Sequence, residues 1–351
     1  MLPAGKEDAG VKLTVYRTEN TDPYVNLAVE EYLTYACGED EVILFLWQNA
    51  HTVVIGRNQN PWRECNVEKI KSDGVYLARR MSGGGAVYHD MGNLNFTFIA
   101  RNGLYDISRQ TDIILLACRL MGINAEKNGR NDLTVDDRKF SGHAYYSSGG
   151  YNYHHGTIMM NVAEEDMPKY LRVSEAKLRS KGVASVRSRV TNLMEHIPED
   201  RLADIYGADE PAEADTRTEK AISAMQKELI RAAEREYGCS AEYADLPSVP
   251  AELHDKYASE EWRYGTRIPF SKVIEHRFEW GGVEIQLEMK GEYIYRCRLY
   301  SDSLETELCA QIEELLEGCR YDTGEILGLR LPQGTSATGY EVLELIASSV
   351  E

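Results

Sequence analysis

A chain of 351 residues with 57 acidic and 39 basic side chains carries a net charge of −18, which excludes nucleic acid as its main partner because a polyanion needs a broad basic face. Its 43% hydrophobic and 27% charged residues fit a globular protein with one large and one small core, and no apolar run nears the roughly 20 residues that span a bilayer. MLPAGKEDAG lacks the basic-then-apolar pattern of a leader, and the seven scattered cysteines form no CxxC pair, so we expect a cytoplasmic protein with reduced thiols, no disulfide framework and no zinc site.

In chain order, Asp22-Pro23 predicts a helix with an aspartate cap and proline in the first turn, ending near Ala36 before Gly38. The apolar runs Glu41 to Trp47 and Thr52 to Gly56 flank a polar turn and read as strands paired with each other. Glu64 to Ser72 suits a short helix. Val75 to Ala78 then leads as a strand into RRMSGGGAVYHDMGNLN, Arg79 to Asn95. Three consecutive glycines put no Cβ between the backbone and whatever lies against it, and they allow successive N–H groups to turn towards one anion. Arg79 and Arg80 add fixed charge in a fork that matches phosphate or carboxylate. No Gly-Lys-Ser/Thr follows, so this is not a Walker loop. The next strand alternates Leu94, Phe96 and Phe98 with Asn93, Asn95 and Thr97.

Ile107 to Met121 is the clearest amphipathic helix of the first half. Asn131 to Val135 and Arg138 to Tyr145 read as a hairpin about Asp136-Asp137, carrying Lys139, which by its sequence alone is a solvated charge. Tyr153 to Asn161 reads as a strand beginning with His154 and His155. Adjacent strand residues point to opposite faces, so this pair cannot chelate one ion; we expect one buried and hydrogen-bonded, the other at the surface. Lys169 to Arg189 holds seven basic residues against the single acid Glu175, a local reversal of sign. Ala212 to Tyr237 is a long charged helix stopped by Gly238, and Leu246 to His254 has the composition of a linker. Beyond it we expect a hairpin over Glu275 to Lys290 turning at Gly281-Gly282, a strand over Tyr293 to Leu299, and helices over Leu304 to Glu317 and Gly339 to Ser349. The division is thus residues 1–250 and 251–351.

The run RR-x-SGGGAV-Y-HD-x-GN resembles the lipoate-binding motif of the lipoate-protein ligase A family, within the biotin/lipoate ligase superfamily. The likeness continues in order through GRNQNPWRECN (Gly56 to Asn66), GRNDL (Gly129 to Leu133), DRKFSGHAY (Asp137 to Tyr145), HHGT (His154 to Thr157) and KGVASVRSRVTN (Lys181 to Asn192). The tail FEWGGVEIQLEMKG is similar to the small C-terminal domain of the long, two-domain ligases, so the resemblance spans nearly the whole chain.

That resemblance implies an α+β fold: a catalytic domain with a central mixed or antiparallel sheet and flanking helices, plus a small α+β accessory domain. It implies ligation of free lipoate to a lysine through a lipoyl-adenylate made from ATP, with Mg²⁺ on the phosphates. Lys139 would be catalytic, touching both the acyl carboxylate and the phosphate. Arg80, Gly85, Ala86, Val87 and Tyr88 would join it in binding ATP; Arg80, Ser82, Gly83, Gly84 and His89 would bind lipoate. Lys181, Ser185, Arg187 and Arg189 would form a mobile loop that closes over the adenylate. Val87, Phe96 and Phe98 are candidates for the wall of the acyl slot, and also ordinary core. Implied partners are the lipoyl domains of 2-oxo acid dehydrogenase E2 subunits and the glycine cleavage H protein, met by a monomer. Two rivals share the fold: an octanoyl or lipoyl transferase that needs no ATP, and a non-catalytic lipoate-binding protein. The absence of cysteine between Cys118 and Cys239 counts against a thioester route. Met81 stands where the family commonly has a polar or small residue, which leaves the preference between lipoate and octanoate open.

Overall fold

A computed structural model describes residues 10–129, 131–172, 190–207, 213–332 and 336–350. Its centre is an eight-stranded mixed sheet in the order β11-β1-β2-β6-β10-β9-β8-β7. These strands are β1 Lys12–Arg17, β2 Glu41–Trp47, β6 Asn93–Arg101, β7 Glu126–Asn128, β8 Asp132–Val135, β9 Arg138–Ser148, β10 Tyr151–Met159 and β11 Ala241–Tyr243. The pairs β1–β2 and β1–β11 are parallel, and the others antiparallel. A second, three-stranded sheet has the order β4-β3-β5, from β3 Thr52–Ile55, β4 Tyr76–Arg79 and β5 Val87–His89.

The expected pairing of the 41–47 and 52–56 runs does not form: β2 lies in the large sheet and β3 in the small one. The polar turn carries the chain from one sheet to the other. Beyond their first residues, Glu41 and Thr52, both strands are apolar because both of their faces are buried, and such a run carries no mark of its partner. On β2, Val42, Leu44 and Leu46 face one core while Ile43, Phe45 and Trp47 face another. Helices Ile107–Leu120 and Ala214–Tyr237 cover the first face, the latter ending at Gly238 in the left-handed region, φ 68°. Helix Pro23–Ala36 covers the second, its N-terminus capped by Asp22, whose Oδ1 accepts the Tyr24 N–H at 2.8 Å. At the β8–β9 turn Asp136 and Asp137 take φ of 49° and 60°, the left-handed pair that a two-residue hairpin of this twist requires.

Leu246 and Val249, expected in a linker, pack on the core under helix Pro23–Ala36, because their apolar side chains gain by leaving water. Helices Ala251–Ala258 and Glu260–Tyr264, assigned to the second unit by the division at residue 250, lie on the first. Tyr257 is 1% exposed and donates its hydroxyl to Glu31 at 2.7 Å, and Lys256 pairs with the same carboxylate at 2.6 Å. The small unit proper is the antiparallel sheet β12 Lys272–Phe278, β13 Gly281–Lys290 and β14 Tyr293–Ser301, with helices Leu308–Leu316, Thr323–Gly328 and Ala337–Ser348 around its own core. Its first hairpin turns at Glu279-Trp280. Gly281 and Gly282 belong to β13, where the Gly282 N–H reaches Asp302 Oδ1 at 2.7 Å. Among the described residues no helix is long and apolar enough to cross a membrane.

The histidine pair also differs from expectation, since both members are buried. His154 faces the helix-covered core, hydrogen-bonded to Gln110 at 3.1 Å and to His143 at 3.0 Å; His155 faces the opposite side. The reason is that β10 lies inside the sheet with both faces covered, so neither position reaches solvent. Burial holds His154 well below its ordinary value and lowers His143 to about 3, with Lys139 and Lys127 adding repulsion at His143. Folding therefore excludes a proton that each ring takes up when unfolded. This stability is complete above the unfolded value near 6.5 and is lost as pH falls below it. Denaturant unfolding at about pH 7.5 and about pH 5.5 should differ by roughly 2–3 kcal/mol for these two rings and by about 4 kcal/mol with His89, which burial also lowers to about 3, the lower pH being less stable. Equal stability at both would mean that the rings accept protons in the folded protein.

Candidate active site

The two sheets face each other across a cavity of about 150 Å³. From the large sheet it is lined by Asn95 on β6, Lys139, Gly142 and Ala144 on β9, and His155 and Thr157 on β10. From the small sheet and its loops come Val54, Arg80, Gly84, Gly85, Ala86, Val87 and His89, and Leu27 and Trp47 close it. Leu27, Trp47, Val54, His89 and Asn95 are all at most 3% exposed, so that end is shut. At the other end the Lys139 side chain is 37% exposed. Among the described residues that line it, no side chain is acidic and none is a cysteine.

The glycine stretch is held from behind by Arg80. Its guanidinium donates through Nε to Ser82 Oγ at 3.0 Å, through Nη2 to the carbonyls of Gly83 at 2.7 Å and Gly85 at 2.8 Å, and through Nη1 to the Val54 carbonyl at 3.3 Å. Ser82 Oγ meets His155 Nε2 at 2.7 Å, and His155 Nδ1 meets Glu30 at 2.8 Å, which also accepts the Thr97 hydroxyl at 2.7 Å. Burial lowers the Arg80 guanidinium to about 10, and it stays charged at neutral pH. The fork expected to meet a ligand anion is thus committed largely to shaping the loop. Arg79 differs more: it lies outside the cavity, donating to the carbonyls of Gly56, Arg57, Gln59, Trp262 and Arg263.

The small unit rests on this loop. The Gly84 N–H donates to Ser303 O at 2.9 Å, and a Cβ at Gly83 would lie 2.2 Å from that same oxygen and 2.8 Å from Leu304 Cα. Asn58 adds two bonds, accepting from Ser301 N at 2.9 Å and donating to Thr306 O at 2.8 Å, and Arg63 is paired with Glu275 and Glu284.

Of the residues singled out in the sequence, the cavity brings together Arg80, Gly84, Gly85, Ala86, Val87, His89 and Lys139. Ser82 and Gly83 sit just behind the lining, and Tyr88 turns away to stack on Tyr170. Phe96 and Phe98 are not part of the slot wall: they lie in the core on the opposite face of β6, and Asn95 takes the cavity side because alternate strand residues alternate faces. Met81 also points away, into the core beneath helix Pro23–Ala36. Lys181, Ser185, Arg187 and Arg189, with the loop closure proposed for them, lie outside the described residues; the next residues bind the site, Thr191 N donating to Lys139 O at 2.9 Å. Lys139 itself is ion-paired with Asp132 at 2.6 Å.

Sequence reasoning missed Glu30, Trp47, Asn95, Asp132 and His155. Glu30 left a signal, being a carboxylate among Leu27, Leu33 and Thr34 on the apolar face of a helix. Such a group persists in a core only when partnered.

Residues 22–206 match the lipoyl protein ligase A/B catalytic domain, and the chain belongs to that family. Residues 268–329 match the bacterial lipoate protein ligase C-terminus, which makes this the two-domain form of lipoate-protein ligase. The crystal structure of LipL1 from P. falciparum in complex with lipoate is 28% identical, covering 96% of this chain and 100% of that one at a TM-score of 0.75. The bipartite lipoate protein ligase of a Thermoplasma acidophilum lipoylation system, studied with its E2 lipoyl domain, is 23% identical over 74% of this chain and 99% of that one, TM-score 0.60. A lipoate-protein ligase A bound with ATP is 22% identical over 73% and 98%, TM-score 0.57. The last two share the fold.

The contact with Ser303 sets a test. Gly83→Ala should lower the unfolding free energy by roughly 1–3 kcal/mol, because backbone on both sides must move. Gly85→Ala, whose Cβ meets nothing within 4 Å, should change it by less than about 0.5 kcal/mol. Denaturant midpoints compare the two, and equal effects would show that the loop does not carry the small unit in this way.

Proposed function

We propose that this protein activates free lipoate with ATP, forming lipoyl-adenylate, and passes the lipoyl group to a lysine of a lipoyl domain. The observation that carries this reading is the shape of the cavity: a slot closed at its apolar end and opening beside Lys139 and the Gly84 to Val87 backbone. An acyl chain lying in it would bring its carboxylate to the part of the lining where, among the described residues, an accessible cation stands, at Lys139. LipL1, whose structure contains lipoate, supports the acid, and ATP bound to the related ligase A supports the nucleotide.

The obstacle to this reaction is electrostatic, because a carboxylate oxygen must bond to the α-phosphorus as the bond from that phosphorus to the pyrophosphate oxygen breaks. Negative charge gathers on the phosphorus oxygens in between. Lys139 and the amides of Gly85 and Ala86 would be donors held in advance near that charge, the Gly84 N–H being taken by Ser303, and such preorganised groups lose little in reorganising. Asp132 neutralises Lys139 at rest, so an incoming phosphate or carboxylate replaces one anion by another without leaving the ammonium uncompensated. Magnesium would arrive on the nucleotide. Among the described residues no group of three or more ligating side chains exists to cage an ion, and a cation that keeps waters and phosphate oxygens needs no more than one carboxylate, a part we propose for Asp132. In the second step the acceptor amine attacks the acyl carbon, the bond to AMP breaks, and the amine loses its proton.

Lipoyl domains of 2-oxo acid dehydrogenase E2 subunits and the glycine cleavage H protein are the acceptors we propose, met by a monomer; the Thermoplasma ligase and its E2 lipoyl domain support the first. Transfer through a cysteine thioester finds no thiol among the described lining residues.

Lipoate-dependent exchange of pyrophosphate into ATP is the test. Lys139→Ala should remove it. The folded protein should lose less than about 1 kcal/mol, since a partly exposed ion pair contributes little. Exchange at the wild-type rate in this variant would reject the role of Lys139, and no exchange in the wild type would reject the ligase reading.

A further inference from the structure

The shut end of the slot is not simply apolar. Two side chains there, His89 and Asn95, are 3% and 2% exposed, line the cavity, and each leaves a buried nitrogen with no partner: Nε2 of His89 and Nδ2 of Asn95. Buried polar groups are satisfied in the great majority of cases, so two orphans facing one small cavity point to something that enters it.

The structure also fixes what kind of group that is. Asn26 Nδ2 donates to the backbone carbonyls of Asn20 at 3.0 Å and Gln48 at 2.8 Å, which sets its amide, and to Asn49 Oδ1 at 3.0 Å. With its oxygen accepting, Asn49 presents Nδ2 to His89 Nδ1 at 3.2 Å. The Nδ1 position is therefore an acceptor and carries no proton. The His89 ring is neutral, because burial, with Arg80 and His155 nearby, lowers it to about 3. A neutral imidazole has one N–H, and here it is at Nε2. Asn95 accepts from Asn93 Nδ2 at 2.9 Å through Oδ1, which leaves its N–H₂ as the free side. Both orphans are donors. What they lack is an acceptor at the far end of the slot from Lys139.

We infer that His89 and Asn95 select the acid by its distal end: their N–H groups donate to the ring sulfurs of a cyclic disulfide, and they disfavour a saturated chain that ends in a methyl group. This rests on the ligase reading above. A carboxylate bound at Lys139 directs the rest of the chain to the shut end, where the dithiolane of lipoate brings two weak acceptors and octanoate brings none. Burying octanoate there would strip both donors of water and return nothing, whereas lipoate satisfies them. Sites built to hydrogen-bond a substrate group reject analogues that lack it. Thioether-like sulfur is a weaker acceptor than oxygen, so the expected preference is moderate, on the order of tenfold in kcat/KM.

The test compares lipoate with octanoate by pyrophosphate release in the presence of ATP and Mg²⁺, for the wild type, His89→Phe, Asn95→Leu and His89→Gln. The wild type should favour lipoate by roughly tenfold. In His89→Phe and in Asn95→Leu the lipoate-to-octanoate ratio of kcat/KM should fall towards one, and His89→Gln, which keeps an N–H, should retain more of it. A merely structural role would lower both acids together and leave the ratio alone. Should His89→Phe fail to fold, Asn95→Leu and His89→Gln carry the comparison. A wild type that turns over both acids equally, or apolar variants that keep the wild-type ratio, would overturn the selection by donors and leave the ligase reading intact. A wild type that releases pyrophosphate with neither acid would overturn both.

Discussion

A guanidinium can be buried only where its N–H groups find acceptors, and the site is built around meeting that condition at Arg80. Among the described residues no carboxylate touches it; its bonds go to the carbonyls of Gly83, Gly85 and Val54 and to the Ser82 hydroxyl. Those carbonyls point inward because the guanidinium is there, which fixes the loop's path. The same need reaches further back, since Ser82 is held by His155 and His155 by Glu30, a carboxylate carried on the first helix. Loop, sheet and helix are thereby tied into one polar unit. Cutting any of these bonds would leave a buried charge or carboxylate short of a partner, a more serious loss than the bond itself.

The local elements and the hairpins joining neighbouring strands, β8 with β9 and β12 with β13, were largely legible in the sequence; the partnerships between elements distant in the chain were not. The aspartate cap and proline located the first helix, and Gly238 located the end of the long one, because both signals act within one turn of chain. The glycine stretch and Lys139 were legible as chemistry, through their motifs, and the cavity does bring them together. Which strand pairs with β3, or that Arg79 would spend its donors on Trp262 and Arg263 across 183 and 184 positions of chain, depends on contacts that leave no local trace. Asn95 shows the limit well. Its alternation with Phe96 was visible, but not which of two buried faces would hold the cavity.

The second unit meets the site through backbone, at the Ser303 carbonyl, and not through a catalytic side chain. That contact requires glycine on the loop and little of the small unit beyond its path over residues 301–306. Close approach of two backbones is specific in shape while demanding almost nothing of sequence.

The slot lies between two sheets that share no ladder, one of eight strands and one of three. Its bore is therefore set by side chains such as Leu27, Trp47 and Val54, and not by the fixed spacing of hydrogen-bonded strands. A pocket inside one sheet could be widened only by breaking its backbone pairing. Here a change at one of those positions alters the room available to a guest and leaves both ladders whole, so the architecture can drift among acids of different girth while its activating end stays unchanged.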